Sequence, residues 1–398
     1  MRAVLGPPKT TLSALLASRA GANQRLRRSF ELTNTFVSAD PDIHNTFVTK
    51  ASALIQDQRS PKARVAFAEL CRVIVDDYFH AAGPSSATIP FDDVIQVVVF
   101  KAILCSLFGA DLDALENDSV LFSARAINVL WQLSKDPKSS PPVEMLPTLN
   151  NNLRRWLPTY ENPLDYIIPT YETMWRVIAV TVALIHVHPS PRSTSAADGG
   201  SNTLRDSFVA FLDNPTRGQF QHWAEHSDDN RVQPSVEAVI QESIRLRPPT
   251  KRISRTIPAP LSRTTSQVCD SESDAITVVA DIAALHYDPA IWNPITTSTP
   301  SSSPLEFDPS RFHPSRLTDL QKQCMLGFGF GRLKCVARDW APLTAAVIVA
   351  AVVARVGSEH DLQHSEGEEK GRGQWAIVNG GRGVGGRDGW DGWVFERV

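Results

Sequence analysis

Apolar residues recur at helical spacing along most of the chain, and stretches that alternate are few and short. Across 42–58, Ile43, Phe47, Ala51, Leu54 and Ile55 fall near the 3.6-residue period of an amphipathic helix. A stronger helix is predicted over 63–80, with Val65, Leu70, Val73, Ile74 and Tyr78 on one side and Pro61 near its start. Residues 91–108 are apolar nearly all round, the pattern of a helix enclosed by a large domain, and open on Asp92 and Asp93 where the helix dipole favours acids. Further helices are predicted at 118–134, 171–187, 204–212, 235–246 and 341–354, and a weak, basic one at 11–28. Strand-like runs are confined to 252–257, 275–280, 375–378 and 390–395. Long helices before any strand signal predict a mainly α fold with a small β region.

Between these elements, 83–86, 136–147, 189–202 and 293–304 are rich in Pro, Ser, Thr and Gly. The first two read as loops and the last two as loose insertions in a single domain spanning 1–398. A net charge of −3 without any basic block removes nucleic acid from the candidate partners. The run 341–354 is shorter than the roughly 20 residues of a bilayer-spanning helix, and Lys101 interrupts the apolar run before it. The first 18 residues lack the apolar core of a signal peptide or anchor. Five cysteines (71, 105, 269, 324 and 335) form neither a C-x-x-C pair nor a zinc spacing. An odd number of them suggests a reducing compartment and one cysteine with a chemical task. The Gly-rich 379–389 does not meet G-x-G-x-x-G spacing and leads into no helix, so dinucleotide binding is not expected there.

Cys335 is the candidate for that task. It follows Phe328-Gly329-Phe330-Gly331-Arg332-Leu333-Lys334 and precedes the apolar helix predicted from Ala341. Backbone N–H groups at a helix start favour a thiolate. Gly329 and Gly331 let the backbone approach a flat ligand where a Cβ would collide, and Phe328 can shield the sulfur from water. Such an arrangement suits an axial cysteine ligand to heme iron, and also a small buried cysteine in a turn. Elsewhere, Glu172 and Thr173 suit either a proton-relaying pair or the first turn of a helix. Glu242 and Arg245, three apart on one helix face, can form an ion pair. His286 reads as a structural histidine near a turn.

The loop resembles the heme-binding segment of the cytochrome P-450 family, F-x-x-G-x-R/H-x-C-x-G/A, with Phe328, Gly331, Cys335 and Ala337 on the pattern. Ala341 matches a small residue that the family often carries six places after the cysteine. One position departs: Leu333 stands where the family has a basic residue paired with a heme propionate, flanked here by Arg332 and Lys334. Glu172-Thr173 is similar to the acidic residue and threonine of A/G-G-x-D/E-T, with Pro169 and Thr170 where small residues usually stand. Glu242-Ser243-Ile244-Arg245-Leu246-Arg247-Pro248-Pro249 resembles E-x-x-R-L-x-P-P, Phe307 to Phe312 resembles F-x-P-x-R-F with Arg311, and 284–292 resembles A-L-H-x-D-P-x-x-W.

The resemblance implies a cytochrome P-450 fold, incomplete at the N-terminus, since no anchor, hinge, first strands or W-x-x-x-R motif is visible. It implies heme b with Cys335 as axial ligand, Phe328 and Gly331 beside it, Arg255 holding a propionate with help from Arg332, and Thr173 with Glu172 passing protons. Glu242, Arg245 and Arg311 would brace the fold beneath the heme. It further implies a monomeric monooxygenase that takes O2, a small apolar organic substrate and electrons from a separate NADPH-dependent reductase; family members are usually on the endoplasmic reticulum membrane. Three alternatives stay open: a heme-binding remnant without turnover, a heme-thiolate peroxide isomerase or peroxygenase, and a helical interaction protein.

Overall fold

Four helices, Pro61–Ala81, Phe91–Phe108, Leu164–Val187 and Ala341–Arg355, pack on one another and form the centre of the molecule. The computed structural model describes residues 1–83, 86–188, 204–225, 232–258, 275–293, 303–356 and 375–398. The insertion predicted at 189–202 lies outside these residues, as does all of 293–304 except its ends. The first bundle helix starts where Ser60 accepts the Ala63 N–H and Pro61, which has no N–H to lose, takes the first helical position. Phe91–Phe108 is buried around its whole circumference and stops at Gly109, whose φ of 71° is the left-handed conformation that ends many helices. Its buried Asp93 is held by Arg125 through bonds of 2.6–3.0 Å. Among the described residues no helix is long and apolar enough to cross a membrane.

The central helix begins at Leu164, seven residues earlier than predicted, and runs through Pro169. Proline cannot bond the carbonyl four residues back, which leaves the Asp165 carbonyl without its helical donor. Asn34 supplies one: its side-chain amide donates to that carbonyl at 2.6 Å. The Asp165 carboxylate in turn accepts the N–H groups of Thr33 and Asn34 at 2.9 and 3.1 Å. A break in the sequence pattern is thus repaired from 131 residues away. The predicted loop 136–147 gives way to a helix at Met145–Trp156, with Pro147 in its first turn and Leu149, Leu153 and Trp156 buried.

The strands are few, as expected. Arg252–Pro258 and Ala275–Asp281 form an antiparallel pair in register from Arg252↔Asp281 to Pro258↔Ala275. Helix Leu12–Ala22 lies against the first of them, so closely that a Cβ on Gly21 would meet the Thr256 side chain at 3.1 Å. A second sheet places Val394–Arg397 between Thr88–Pro90 and Trp375–Val378. The strand predicted at 390–395 therefore starts four residues later. Trp390 and Trp393 are buried instead, packed on Phe91, as the chain turns at Gly389 and Gly392.

Candidate active site

The cysteine loop is built by hydrogen bonds within a short stretch. Leu326 accepts the Gly329 N–H at 2.8 Å, Gly331 accepts the Lys334 N–H at 3.2 Å, and the Phe328 carbonyl accepts the Cys335 N–H at 2.9 Å. Gly329 and Gly331 hold φ values of 74° and 71°, a conformation that would strain any side-chain-bearing residue. Gly6 lies within van der Waals reach of Phe330 and Gly331, and the Arg2 guanidinium sits 4.8 Å above the Phe330 ring.

Cys335 is exposed as a residue, yet enough protein surrounds its thiol that burial raises the pKa. The Ala337 N–H, which hydrogen-bonds the sulfur, and the Arg338 charge pull the pKa the other way. Five residues of turn separate Cys335 from the helix Ala341–Arg355, so the expected helix-start effect is supplied by that single N–H.

A group of basic side chains, spread over the sequence, comes together near Arg332 of this loop. Arg19 and Arg255 are buried, and the Nε of each has no hydrogen-bond partner. Burial first, and then the Arg255 charge, lowers the Arg19 pKa to about 10. His44 is lowered by burial, then by Arg19 and Arg332. These mutual repulsions tie Arg19, Arg255, His44 and Arg332 together, and Arg332 ties them to the cysteine turn. Arg19 is anchored on the Thr35 carbonyl at 2.6 Å and stacks 5.1 Å over Phe36, while the Thr35 hydroxyl meets His44 Nδ1 at 2.8 Å. Neither Arg19 nor His44 belongs to a recognisable motif, so no local signal singles them out.

From Phe36 an aromatic run continues through Phe47 to Tyr166, which stacks on Phe47 at 5.4 Å, and so reaches the central helix. There Tyr166, Pro169, Thr170 and Thr173 are only half-buried, while the other residues from 164 to 185 are buried apart from Arg176. Thr170 turns its hydroxyl back onto the Tyr166 carbonyl at 2.8 Å. Glu172, roughly 100° around the helix from Thr173, is buried in a separate cluster. Its carboxylate takes two bonds from Arg176 (2.8 and 2.9 Å) and pairs with Arg387 of the C-terminal loop. Arg387 also donates to Asn128 Oδ1 at 3.0 Å, and burial lowers both arginines to about 10.

Beneath the loop, Arg245 bonds both oxygens of Glu242 at 2.6 and 2.8 Å, with neither residue exposed. Arg311 approaches the same carboxylate at 3.5 Å, and the Asp308 N–H donates to it at 3.0 Å. Arg245 is further held by the carbonyls of His286 and Pro304 at 2.8 and 2.7 Å. Such a pair costs desolvation and repays it through full hydrogen bonding. Burial raises the Glu242 pKa, with Arg245 opposing. A polar cavity of about 480 Å³, lined by Arg59, Arg64, Arg217 and Trp340 among others, includes no residue of the cysteine loop 326–335.

Comparison with known proteins bears on both the fold and this loop. Residues 224–370 match the cytochrome P-450 family. Over that segment the chain is similar to cytochromes P-450. Mouse cytochrome P-450 4X1 is 31% identical over 123 residues, 31% of this chain and 22% of the relative; pig cytochrome P-450 4A24 is 29% identical over 122 residues, 31% and 21%. The matched segment thus spans about a fifth of the length of these curated relatives. Among solved structures, the cytochrome P-450DA heme domain has a TM-score of 0.54 at 14% identity, covering 97% of this chain and 84% of that one. Retinoic-acid-bound cyanobacterial CYP120A1 has a TM-score of 0.55 at 12% identity, covering 94% and 83%. Both share the fold.

Cytochromes P-450 are heme-iron proteins, and the residues present fit that group. Protein surrounds the Cys335 thiol, and Arg19 and Arg255 carry buried Nε groups without hydrogen-bond partners, donors that suit a ring carrying two carboxylates.

Proposed function

We propose that the chain is a heme-thiolate monooxygenase that inserts one oxygen atom from O2 into a small apolar organic molecule, using electrons from a separate NADPH-dependent reductase. The observation that carries this reading is the cluster of Arg19 and Arg255, buried with unpartnered Nε groups, with His44 and Arg332 near it and Arg332 three residues before Cys335. Cys335 Sγ would hold the heme iron, and the Ala337 N–H and Arg338 would ease the negative charge it must then carry. Arg19 and Arg255, with His44 and Arg332 beside them, would hold the propionates, which would offset the repulsion between the two arginines. That assignment accounts for Leu333: the propionate partner lost two places before Cys335 is replaced from the N-terminal helix Leu12–Ala22. Heme, when bound, supplies the activation of dioxygen. The Thr173 hydroxyl, on the half-buried side of the central helix, holds water and moves a proton from it, while Phe36, Phe47 and Tyr166 keep bulk water out.

A second reading, heme binding without oxygen turnover, is favoured by one observation. Glu172 is ion-paired with Arg176 and Arg387, so a proton reaching Thr173 must come by water or after that pair opens. The test is reconstitution with a reductase, NADPH and 18O2 against apolar compounds that change the Soret spectrum on binding. One labelled oxygen per product molecule supports the monooxygenase. Binding spectra without product or NADPH consumption support the second reading and contradict the first.

A further inference from the structure

His286 is a group that the proposed chemistry leaves unused. It is wholly buried, between the helix Val236–Leu246 and the residues that lead into the cysteine loop. Its Nδ1 lies 3.2 Å from the Arg245 carbonyl and its Nε2 lies 3.4 Å from the Leu326 N–H. The His286 carbonyl, for its part, accepts Arg245 Nη1 at 2.8 Å. A carbonyl can only accept and an N–H can only donate, so one neutral tautomer satisfies both contacts: proton on Nδ1, lone pair on Nε2. Burial keeps the ring neutral, with a pKa pushed down to about 4 although the carbonyls of Arg245 and Cys324 pull upward.

What the ring holds matters for the loop. Leu326 is the residue whose carbonyl receives the Gly329 N–H, the first bond of the turn that ends at Cys335. The next residue, Gly327, is pressed against the same helix: a Cβ there would meet Ile244 Cγ2 at 2.9 Å. The start of the loop is thus seated on Ile244 by shape and tied to Arg245 through one imidazole. We infer that His286 is a positioning residue: as the Nδ1–H tautomer it joins the Glu242–Arg245–Arg311 brace to the Leu326 end of the cysteine loop, and so sets where Cys335 Sγ stands. Its bearing on the iron rests on the heme-thiolate reading; its bearing on the loop does not.

The parent chain, without heme and with 15N-labelled histidine, is measured first. His286, assigned by the signal lost in His286→Gln, should be the neutral Nδ1–H form at pH 7. An Nε2–H form would overturn the inference, and this arm needs no destabilising variant. Amide exchange in the heme-free chain then compares His286→Leu, which loses both contacts, with His286→Gln, whose amide can donate and accept. Residues 325–335 should exchange at least tenfold faster in His286→Leu beyond any change elsewhere in the chain, and should recover in His286→Gln. With heme added, the thiolate-ligated share of the reduced carbon monoxide complex should fall by half or more in His286→Leu. Loss of protection spread evenly over the chain, with an unchanged thiolate share, would mean that His286 only fills the core. Should the parent take up no heme, the functional reading fails, while the tautomer and exchange arms still decide this one.

Discussion

At Cys335 two effects oppose each other: the surrounding protein raises the thiol pKa, while one backbone N–H and the Arg338 charge lower it. On the proposed reading the thiolate would therefore be completed by the metal it binds rather than waiting preformed. Arg19 and Arg255 are the mirror case: burial lowers the pKa of each, and the proposed propionates would offset that. Arg255→Met removes a buried Nε that has no partner, so the heme-free chain should keep its stability or gain up to about 1 kcal/mol. The same change should speed heme loss to an acceptor globin roughly tenfold, an effect of about 1.4 kcal/mol. A heme-free chain destabilised by more than that would show that Arg255 is a structural residue. His286 gives a pH signature. Its pKa in the fold, about 4, lies below the ordinary 6.5, so its contribution is whole above pH 6.5 and is lost as pH falls toward 4. The full loss amounts to roughly 3 kcal/mol. Urea unfolding should show a smaller drop in stability over that window for His286→Gln than for the parent.

Among the elements, the central helix Leu164–Val187 carries the most information, because it runs through a proline only with outside help. Asn34→Ala should cost about 1–3 kcal/mol by leaving the Asp165 carbonyl buried without a donor. Adding Pro169→Ala should recover much of that loss, since an N–H at 169 can bond the same carbonyl within the helix. A double variant no more stable than Asn34→Ala would refute this account of the helix. The same helix is tied to the other end of the chain by Arg387, which reaches Glu172 from a glycine-rich loop. The helix that carries Thr173 is thus fixed from residues 33–34 on one side and from residue 387 on another.

Over the whole molecule, what could be read from the sequence was whatever chemistry is local. The turn around Cys335, the Glu242–Arg245 pair and the Arg311 segment each lie within a few residues, and their spacing carries the geometry. Arg19, His44 and Arg387 could not be read that way, because their partners stand tens to hundreds of residues away. Pro169 misled the helix boundary for the same reason: the compensating donor is Asn34, far upstream. Thr88–Pro90 was missed because three residues give too short an alternation to notice, and its pairing with Val394–Arg397 supplies the evidence that three residues alone do not. The most direct test is the absorption spectrum of the heme-loaded, reduced chain under carbon monoxide, recorded for the parent and for Cys335→Ser. The account predicts the red-shifted Soret band of thiolate ligation in the parent and its absence in the variant. A folded parent with an unshifted band, or a variant that keeps the shifted one, would contradict it.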